Sequence, residues 1–447
     1  MTSNTAYGNA PYDRSVSTAP EEKKYRSDSD LGLAEQATRE DGKIEKFNNL
    51  SWKKLTICLI VEAIALGSLS IPAAFATLGM IPGVLLCVGL GLVAIYTSYV
   101  VGQVKLRYPA IDHYADAVKL IWGKAGYELT LIRIVSKMEV CALAWSIISA
   151  IILFALALPP SFAEFAWLGY VDFVSIIIAI LITIISTGVE ASQAPGGLAA
   201  VPWTLWPAAD VTFYQAFLST TNIIFAYSFA VCQFSFMSEM HTPRDYVKSI
   251  WALGLIEIFI YTVTGALIYA FVGPTVSSPA LLSSSFTVSR IAFGIALPVI
   301  FISGSINGTV VARFIINRAF ATSPIRNTNT PKGWAAWIGV IAVVTLIGWV
   351  IAEAVPFFNA LLGLISSLFI SGFTFYFPAL FWFQLIKEGK WYRGWKNISL
   401  SVINAIVLII GLLVLGCGTY ASVQDILAQY AKGSVRGSFT CSSAAYS

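Results

Sequence analysis

The sequence feature that most constrains the fold is an apolar stretch, Leu55–Gly83, that is long enough to span a bilayer but is interrupted in its middle. It reads LTICLIVEAIALGSLSIPAAFATLGMIPG. Gly67 weakens a helix, and Pro72 lacks a backbone N–H and disfavours the helical conformation of Ile71. We therefore predict two half-helices, the second starting near Pro72, rather than one continuous helix.

An interrupted helix at membrane depth indicates a binding site. Non-helical backbone is tolerated in lipid only where it lines a cavity enclosed by protein. Secondary transporters bind their substrates at discontinuous helices of this kind. The alternative is a proline kink in a membrane helix that binds nothing, and the residues alone leave both readings open.

The composition identifies the class of protein. Of the 447 residues, 57% are hydrophobic and only 12% are charged, and the mean hydropathy is +0.74. These values indicate an all-α, multi-pass integral membrane protein with the lipid bilayer as a partner. The net charge is +4, and the basic residues lie between the apolar runs, so a nucleic-acid partner is not supported.

Residues that could support catalysis or metal binding are few. The six cysteines form no C-x-x-C pair and no metal-binding spacing with a histidine, so neither a disulfide framework nor a metal site is predicted. His113 and His241 fall in polar loops, where we expect solvated side chains. We predict that the protein is not an enzyme and needs no cofactor.

About ten stretches are apolar and long enough to cross a bilayer, which requires about 20 helical residues. They are Leu55–Gly83, Val84–Val104, Cys141–Leu158, Val171–Gly188, Phe213–Phe236, Ile250–Val272, Ile291–Ile316, Trp334–Ile351, Phe357–Phe383 and Ile398–Tyr420. The predicted transmembrane domain covers residues 51–420. It lies between a disordered N-terminal tail, residues 1–50, and a disordered C-terminal tail, residues 421–447.

Two further segments are predicted to lie at the membrane surface. His113–Trp122 alternates apolar and charged residues at helical spacing, which is typical of an interfacial amphipathic helix. Glu190–Asp210 contains three prolines together with Trp203 and Trp206, so it is too broken for a confident span.

The distribution of Lys and Arg predicts a cytoplasmic N-terminus. The N-terminal tail and the loop Lys105–Val140 are both basic and are two spans apart. The loop with Arg244 is basic as well, but only three predicted spans separate it from Val140, and an odd number puts it on the opposite side. Either Glu190–Asp210 crosses the membrane too, or one helix is missing.

Long sequence blocks occur in a characteristic order: EAIALGSLSIPAAFATLGMIPG, YPAIDHYADA, FAYSFAVCQFSFMSEMHTPRDY, SGSINGTVVARFI and PFFNALLGLISSLFISGFTFYFPALFWF. In these blocks the chain resembles the amino acid/auxin permease family, and within it the fungal neutral amino acid permeases, over roughly Leu50–Tyr420. The resemblance implies a five-plus-five inverted-repeat, LeuT-like transporter fold with an eleventh helix. It also implies transport of amino acids coupled to an ion, usually a proton.

The chain departs from this family in two places. Similar proteins have an additional third span, but Gly126–Leu158 has only 33 residues and cannot hold two spans of about 20. We therefore predict that one family helix is missing. The sixth family helix usually reads Ala-Tyr-Ser-Gly, whereas this chain has Ala226-Tyr227-Ser228-Phe229. The Phe229 ring is expected either to narrow the pocket or to keep the helix intact.

The resemblance also implies a substrate site at the interrupted helices. The substrate carboxylate would be held by the backbone of Gly67, Ser68 and Leu69, at the positive end of a half-helix. The ammonium group would be held by backbone carbonyls of the sixth helix, and Tyr227 would line the side-chain pocket or, alternatively, only pack between helices. These carbonyls belong to Phe225, Ala226, Tyr227 and Ser228.

Three polar residues are candidates for ion coupling. Glu62 is an ionisable group at membrane depth, which is costly and often functional, although it could simply pair with a buried donor. Ser303 and Asn307 are four residues apart on one helix face, where they could supply oxygens or a proton path. The alternative for this pair is a polar contact between helices.

The sequence thus predicts a secondary transporter that moves neutral amino acids, with a proton as the expected coupling ion. The alternative is a transport-impaired relative that acts as a membrane amino acid sensor or interaction protein. We expect the plasma membrane rather than the vacuolar membrane, and the sequence makes no prediction of oligomeric state.

Overall fold

The structure is a computed structural model, and it describes residues 50–64, 67–109, 111–121, 143–159, 162–320, 330–354, 358–390, 392 and 394–431. The described residues are almost entirely helical. Their isolated β contact is a parallel bridge between Leu50 and Met240.

The α-helices are numbered in chain order. They are α1 (Trp52–Ala63), α2 (Gly67–Leu78), α3 (Met80–Arg107), α4 (114–121), α5 (Leu143–Leu156), α6 (Phe162–Gln193), α7 (Phe213–Ala226), α8 (Gln233–Ser238), α9 (Tyr246–Val272), α10 (Phe286–Ala319), α11 (Pro331–Ala354), α12 (Phe358–Ile365), α13 (Phe377–Phe381), α14 (Trp395–Leu413) and α15 (Thr419–Ala431). Turns of π-helix continue α12 as far as Ile386 and join α14 to α15.

Within the described residues, seven helical segments are long and apolar enough to cross a membrane. They are Met80–Arg107, Leu168–Gln193, Pro243–Thr275, Phe286–Ala319, Pro331–Val350, Leu361–Ile386 and Trp395–Ala431. The helix Gly67–Leu78 is apolar but shorter. The predicted all-α, multi-pass membrane protein agrees with this architecture.

Contacts between helices fix their relative directions. The helices α1 and α9 are parallel, because Ser249 donates to the carbonyl of Trp52 at 2.8 Å and Tyr261 donates to that of Ala63 at 2.9 Å. The helix α3 is antiparallel to α9, because Tyr246 donates to the Tyr99 carbonyl at 3.1 Å near the end of α3. The end of the bundle where α1 and α9 begin and α3 ends is called the Leu50 end below.

The opposite end, called the Gly79 end, is covered by the segment 201–206. The backbone N–H of Met80 donates to the carbonyl of Thr204, and that of Ile81 donates to Leu205, both at 3.0 Å. The Thr204 N–H in turn donates to the hydroxyl of Tyr269, near the end of α9. This segment therefore lies across the helix ends, as predicted for a segment that does not span.

Two more directions follow for α6. The turns 173–178 of α6 and 255–260 of α9 line one groove, and Gly188 packs beside Phe271, so α6 is parallel to α9. The helix α10 is antiparallel to α6, because the Ser285 N–H donates to Glu190 at 2.9 Å while Ser175 donates to the carbonyl of Ile295.

These directions decide between the two explanations of the charge pattern. The helix α8 ends beside Lys105, since the Lys105 ammonium donates to Ser238 at 2.8 Å, so the basic loop after α8 lies at the Leu50 end with the other basic loops. The alternative in which Glu190–Asp210 crosses the membrane is wrong, because segment 201–206 stays at the Gly79 end.

The positions of α4 and α5 show where the described chain stops and resumes on either side of residues 122–142. Leu153 of α5 packs beside Gly304, and Ala157 clusters with Ile316 of α10, so α5 runs towards the Leu50 end. The helix α4 already lies at that end, packed with Val104. The described chain therefore stops at the Leu50 end at residue 121 and resumes at residue 143 farther from that end, and residues 122–142 lie outside the described part.

The first break lies one turn earlier than predicted. The helix α1 ends at Ala63 and α2 already begins at Gly67, so Pro72 is inside α2 rather than at its start. Hydroxyl groups bond to the backbone carbonyls around the break: Ser68 donates to Ile64 at 2.9 Å and Ser70 donates to Gly67 at 2.8 Å. These bonds satisfy polar groups that lipid could not.

The boundaries of the tails and the predicted interfacial helix also need correction. Leu50 is fully buried at the start of the domain, and α15 continues to Ala431, because Ser422 is buried against the backbone of Gly363. The helix α4 is not an exposed surface helix. Tyr114 is 2% exposed and donates to the carbonyl of Phe373 at 2.7 Å, so its apolar face packs on protein.

Candidate functional site

Two interrupted helices meet inside the bundle. The first is the pair α1 and α2, of which α1 ends at Ala63 and α2 begins at Gly67. The second is the pair α7 and α8, joined by the 3₁₀ turn Phe229–Val231. A Cβ atom on Gly67 would lie 2.8 Å from the Cα of Ala226, so only glycine permits this approach. The two breaks are therefore in direct contact.

Tyr261 of α9 connects the two breaks. Its hydroxyl lies 2.9 Å from the carbonyl oxygen of Ala63 and 3.1 Å from that of Ala226, and its side chain is fully buried. These carbonyls belong to the last residues of α1 and α7, where a helix leaves acceptors without intrahelical donors. Sequence reasoning missed Tyr261, although a tyrosine inside an apolar span signals a buried hydroxyl that needs a partner.

The proposed carboxylate-binding residues open α2. Gly67, Ser68 and Leu69 form its first turn, where backbone N–H groups lack intrahelical acceptors and the helix dipole is positive. All three residues are buried. Beside them lie the carbonyl ends of α1 and α7, which carry the opposite partial charge. Chemically, the two breaks complement a molecule with one negative and one positive group.

The proposed ammonium-binding residues close α7. Phe225 and Ala226 are its last residues, and the buried Tyr227 and Ser228 follow. The Tyr227 hydroxyl donates to the carbonyl of Cys87 at 2.9 Å, which corresponds to the packing alternative for its ring. Phe229 is 1% exposed, yet the helix is interrupted beside it, so the expectation of an intact helix is wrong.

The coupling candidates occupy different places. The side chain of Glu62 lies outside the described residues. Ser303 and Asn307 lie on α10, where the Asn307 amide donates to the carbonyl of Ser303 at 3.1 Å. The Cys232 thiol lies 3.8 Å from the Asn307 oxygen, so the structure brings Asn307 to the second break.

The Leu50 end contains a cluster of charged side chains. Lys105 is 6% exposed, and its ammonium donates to Asp112 at 3.2 Å and to Ser238 at 2.8 Å. Glu239 forms an ion pair with Arg313 of α10, and the Glu239 carbonyl accepts the N–H of Leu50 at 3.0 Å. The start of α1 is thereby tied to residues that follow α8.

His113 belongs to this cluster, so the expectation of a solvated side chain is wrong for it. It is 6% exposed, lies 3.1 Å from the Ser235 hydroxyl through Nδ1, and lies 3.2 Å from the Asn317 amide through Nε2. The sequence conceals this burial because the partners lie more than 100 residues away. His241 is exposed, as predicted.

Two carboxyl groups of the cluster have perturbed pKa values. Burial acts to raise the pKa of Asp112, but the Lys105 ammonium and the hydrogen bond from Ser238 outweigh it and lower that pKa. Burial, helped by the neighbouring Asp112 charge, raises the pKa of Asp116 to about 6. Across the described residues, no group of three or more His, Cys, Asp and Glu side chains is arranged to hold a metal ion.

Comparison with known proteins identifies the family. The model of the family described as "Transmembrane amino acid transporter protein" matches residues 48–138 and 130–424. The chain is 56% identical over 419 residues to the "N amino acid transport system protein" of Neurospora crassa, covering 89% of each chain. It is 27% identical over 420 residues to a "Transmembrane transporter" of Fusarium pseudograminearum, covering 89% of this chain and 88% of that one.

A further relative, the "Transmembrane transporter" of Gibberella moniliformis, is 27% identical over 439 residues and covers 93% of this chain and 92% of its own length. Each alignment has more positions than the number of residues of this chain that it covers, so it contains positions at which this chain has no residue. Because 89% of 447 residues is about 398, the Neurospora alignment contains about 21 positions at which this chain has no residue. With a family match over most of its length, the chain belongs to the transmembrane amino acid transporter family.

Proposed function

We propose that the protein is a secondary transporter that carries neutral amino acids across a membrane together with protons. The observation that carries this proposal is the contact between the two breaks at Gly67 and Ala226, bridged by Tyr261. It brings a helix N-terminus and two helix C-termini together at one buried place. The carboxylate and ammonium groups of a zwitterionic amino acid fit these partial charges.

The roles of the surrounding residues follow from this placement. The backbone of Gly67, Ser68 and Leu69 binds the carboxylate, and the carbonyls of Phe225–Ser228 bind the ammonium group. The side chains of Tyr227, Tyr261 and Phe229 are large, buried and uncharged, and we propose that they form the walls of the site. A pocket with these walls favours neutral side chains over charged ones, because an unpaired charge there would lose its hydration.

Transport requires that the site open to each side in turn. The contacts at the Leu50 end, above all the Glu239–Arg313 ion pair, have to separate for opening at that end. Opening at the other end requires movement of the segment 201–206 away from Met80. The basic loops support a cytoplasmic Leu50 end and a cytoplasmic N-terminus, and we propose the plasma membrane as the location.

The same proposal includes the five-plus-five inverted-repeat fold. The paired interrupted helices support it, because such pairs meet at the substrate site in inverted-repeat transporters. For ion coupling we retain Glu62, Ser303 and Asn307 as candidates. Asn307 is supported by its contact with Cys232 at the second break.

A second candidate function is a transport-impaired sensor or interaction protein. The Neurospora alignment supports it, because that alignment contains about 21 positions at which this chain has no residue. The predicted gap lies between Trp122 and Cys141, and the family match divides at residues 130–138. Sequencing the transcript tests the gap. A transcript that encodes an additional apolar helix there would restore the complete transporter and remove the reason for this candidate.

Uptake in a cell that lacks its own amino acid permeases distinguishes the two functions. Labelled neutral amino acids are supplied at two external pH values, with unlabelled acidic, basic and neutral amino acids as competitors. A proton-coupled transporter accumulates the neutral label, more strongly at the lower pH. Binding of the label to membranes without accumulation would support the sensor instead.

A further inference from the structure

Asp172 of α6 is a buried acidic residue that the roles assigned so far do not use. Its side chain is 1% exposed, and its Oδ1 atom has no hydrogen-bond partner in the described part of the chain. Burying a carboxyl group in this way is costly. Ionisable residues inside membrane helices are retained mainly where transport or catalysis needs them.

The neighbouring turns show which helices Asp172 faces. Gly169, one turn earlier, packs against α1, where a Cβ atom would lie 2.7 Å from Ile57 Cγ2 and 3.1 Å from Val61 Cγ2. Ser175, one turn later, donates to a carbonyl of α10. Residues three apart lie on the same side of a helix. Asp172 therefore lies in the wedge between α1 and α10.

The depth of Asp172 follows from the helix directions. Both α1 and α6 run parallel to α9, so a residue one turn beyond Gly169 is displaced along α1 towards its end at Ala63. On the other side, the antiparallel pairing of Ser175 with Ile295 sets Asp172 level with the turn that contains Pro298. A proline removes a helix hydrogen bond. Asp172 thus faces one helix close to its break and another at a proline.

The charged groups of α10 lie away from this level. Arg290 stacks on Phe286, 3.9 Å from the ring centre, at the Gly79 end. Arg313 pairs with Glu239 at the Leu50 end. On α6 itself, Glu190 accepts a hydrogen bond from Ser285 near the Gly79 end.

The remaining titratable groups near Asp172 are on α1 and α9. On α1, Lys53 and Lys54 stand at the Leu50 end, Cys58 is buried, and Glu62 follows Val61, with its side chain outside the described residues. The remaining groups are on α9. They are Lys248, which pairs with Asp245 at 2.8 Å, and the buried Tyr246, Glu257, Tyr261 and Tyr269.

We propose that Asp172 is a further proton-binding residue of the transporter, besides the coupling candidates retained above. It takes up a proton when the wedge between α1 and α10 is open to one side and releases it when the wedge is open to the other. This inference rests on the proposed proton-coupled transport. A protonated carboxyl is neutral and is tolerated beside the apolar Ile57 and Val61. Movement of α1 admits water to the wedge, which stabilises the carboxylate and lets the proton leave.

The test uses the full chain reconstituted in lipid vesicles, with a labelled neutral amino acid. One measurement is accumulation driven by a proton gradient. The other is exchange of labelled for unlabelled substrate without a gradient, which needs binding and movement but no net proton transfer. Asp172→Asn should lose gradient-driven accumulation and retain exchange. The matched control, Glu190→Gln, removes a carboxylate from the same helix and should behave as the wild type in both.

The outcomes separate the inference from the function on which it rests. A wild-type protein that ignores the proton gradient would overturn proton-coupled transport itself. A responsive wild type together with an equally responsive Asp172→Asn variant would overturn only the role of Asp172. If Asp172→Asn is inactive in both measurements, the Asp172→Glu variant is tested. Restored gradient-driven accumulation in Asp172→Glu would support a requirement for a carboxyl group. Intact exchange without gradient-driven accumulation in Asp172→Glu would contradict that requirement. The wild type should also show an infrared band of a protonated carboxyl that Asp172→Glu shifts, and an absent band would contradict the inference.

Discussion

The two helix breaks and the Leu50 end are built from different chemistry. The breaks are joined by a backbone contact of Gly67 with Ala226 and by one tyrosine hydroxyl. The Leu50 end is joined by charged side chains, among them the Glu239–Arg313 and Lys105–Asp112 ion pairs. Backbone groups hold a fixed geometry, whereas ion pairs can separate and become hydrated.

This difference separates the proposed recognition of the substrate at the breaks from the proposed opening of the Leu50 end. In the proposed site, backbone groups and helix ends recognise the groups shared by all amino acids, and this recognition does not depend on the titration of a side chain. Contacts made of charged side chains respond to pH and can be broken one at a time. We therefore expect changes at the breaks to affect substrate binding, and changes at the Leu50 end to affect transport and stability while binding remains.

The largest effect is expected for Gly67→Val. A Cβ at this position would lie 2.8 Å from the Cα of Ala226, and a backbone atom cannot rotate away. Substrate binding should be lost, and stability should fall by about 3 kcal/mol, the upper end of the usual cost of overpacking. Calorimetric binding and thermal unfolding of the purified protein measure both. Gly89→Val is the control, because nothing lies within 4 Å of that site. Equal effects of the two changes would show that the contact between the breaks is unimportant.

Glu239→Gln should have the next largest effect. It removes the charge partner of Arg313 at a position where Glu239 is 3% exposed, which costs about 3 kcal/mol in a buried pair. The Leu50 end then loosens, so transport should fall more than binding. Glu388→Gln is the matched control, since Glu388 is 84% exposed in its pair with Arg107. A variant that transports at the wild-type rate would separate this ion pair from the opening step.

Tyr261→Phe should have an intermediate effect at the breaks. It removes the hydroxyl shared by the carbonyls of Ala63 and Ala226 and keeps the ring, at a cost of about 1–3 kcal/mol. We expect weaker substrate binding together with a lower unfolding temperature. Tyr227→Phe is the control, because its hydroxyl bonds to α3 through Cys87 rather than to a break. If both variants bind equally well, Tyr261 is a packing residue.

The smallest effect is expected for Asp116→Asn, and it depends on pH. The carboxyl has a pKa of about 6 in the folded protein against 3.8 ordinarily, so between these values only the unfolded chain releases its proton. Stability should therefore fall as pH rises from about 4 to about 6 and stay lower above it, by about 1–3 kcal/mol. The variant cannot ionise and should lose this slope in thermal unfolding.

Asp112 provides the contrast for this measurement. Its pKa is lowered, so its contribution is a stabilisation that is present at neutral pH and disappears as the pH falls below its ordinary value. Asp112→Asn should therefore destabilise the protein at pH 7, where Asp116→Asn stabilises it. Variants that change stability in the same direction at pH 7 would contradict the opposite pKa shifts.

The sequence predicts the first break better than the second. Gly67 and Pro72 mark the first break locally, and the error of about one helical turn arises because contact with Ala226, rather than the proline, sets the position. The second break has Phe229 where glycine is expected in the family, so the local sequence suggests continuity. Long-range packing decides it, and such packing is not encoded in local propensity.

Burial at the Leu50 end was also beyond sequence reasoning. His113 lies in a polar stretch and is enclosed by Ser235 and Asn317, which come from α8 and α10. The role of Asp172 was not predicted for a different reason, because Asp172 lies beside an apolar segment rather than in a polar one. It lies at the edge of an apolar span, and only the helix directions reveal that it faces α1 and α10 rather than solvent.

The binding of the carboxylate and ammonium groups of an amino acid at the two helix breaks is the central part of the proposed function. The most direct test is calorimetric binding of a neutral amino acid, its methyl ester and the corresponding amine without a carboxylate to the purified full chain. The account predicts that the amino acid binds and that both analogues lose binding, as the amino acid does with the Gly67→Val variant. Equal binding of the amino acid and its methyl ester by the wild type would contradict it.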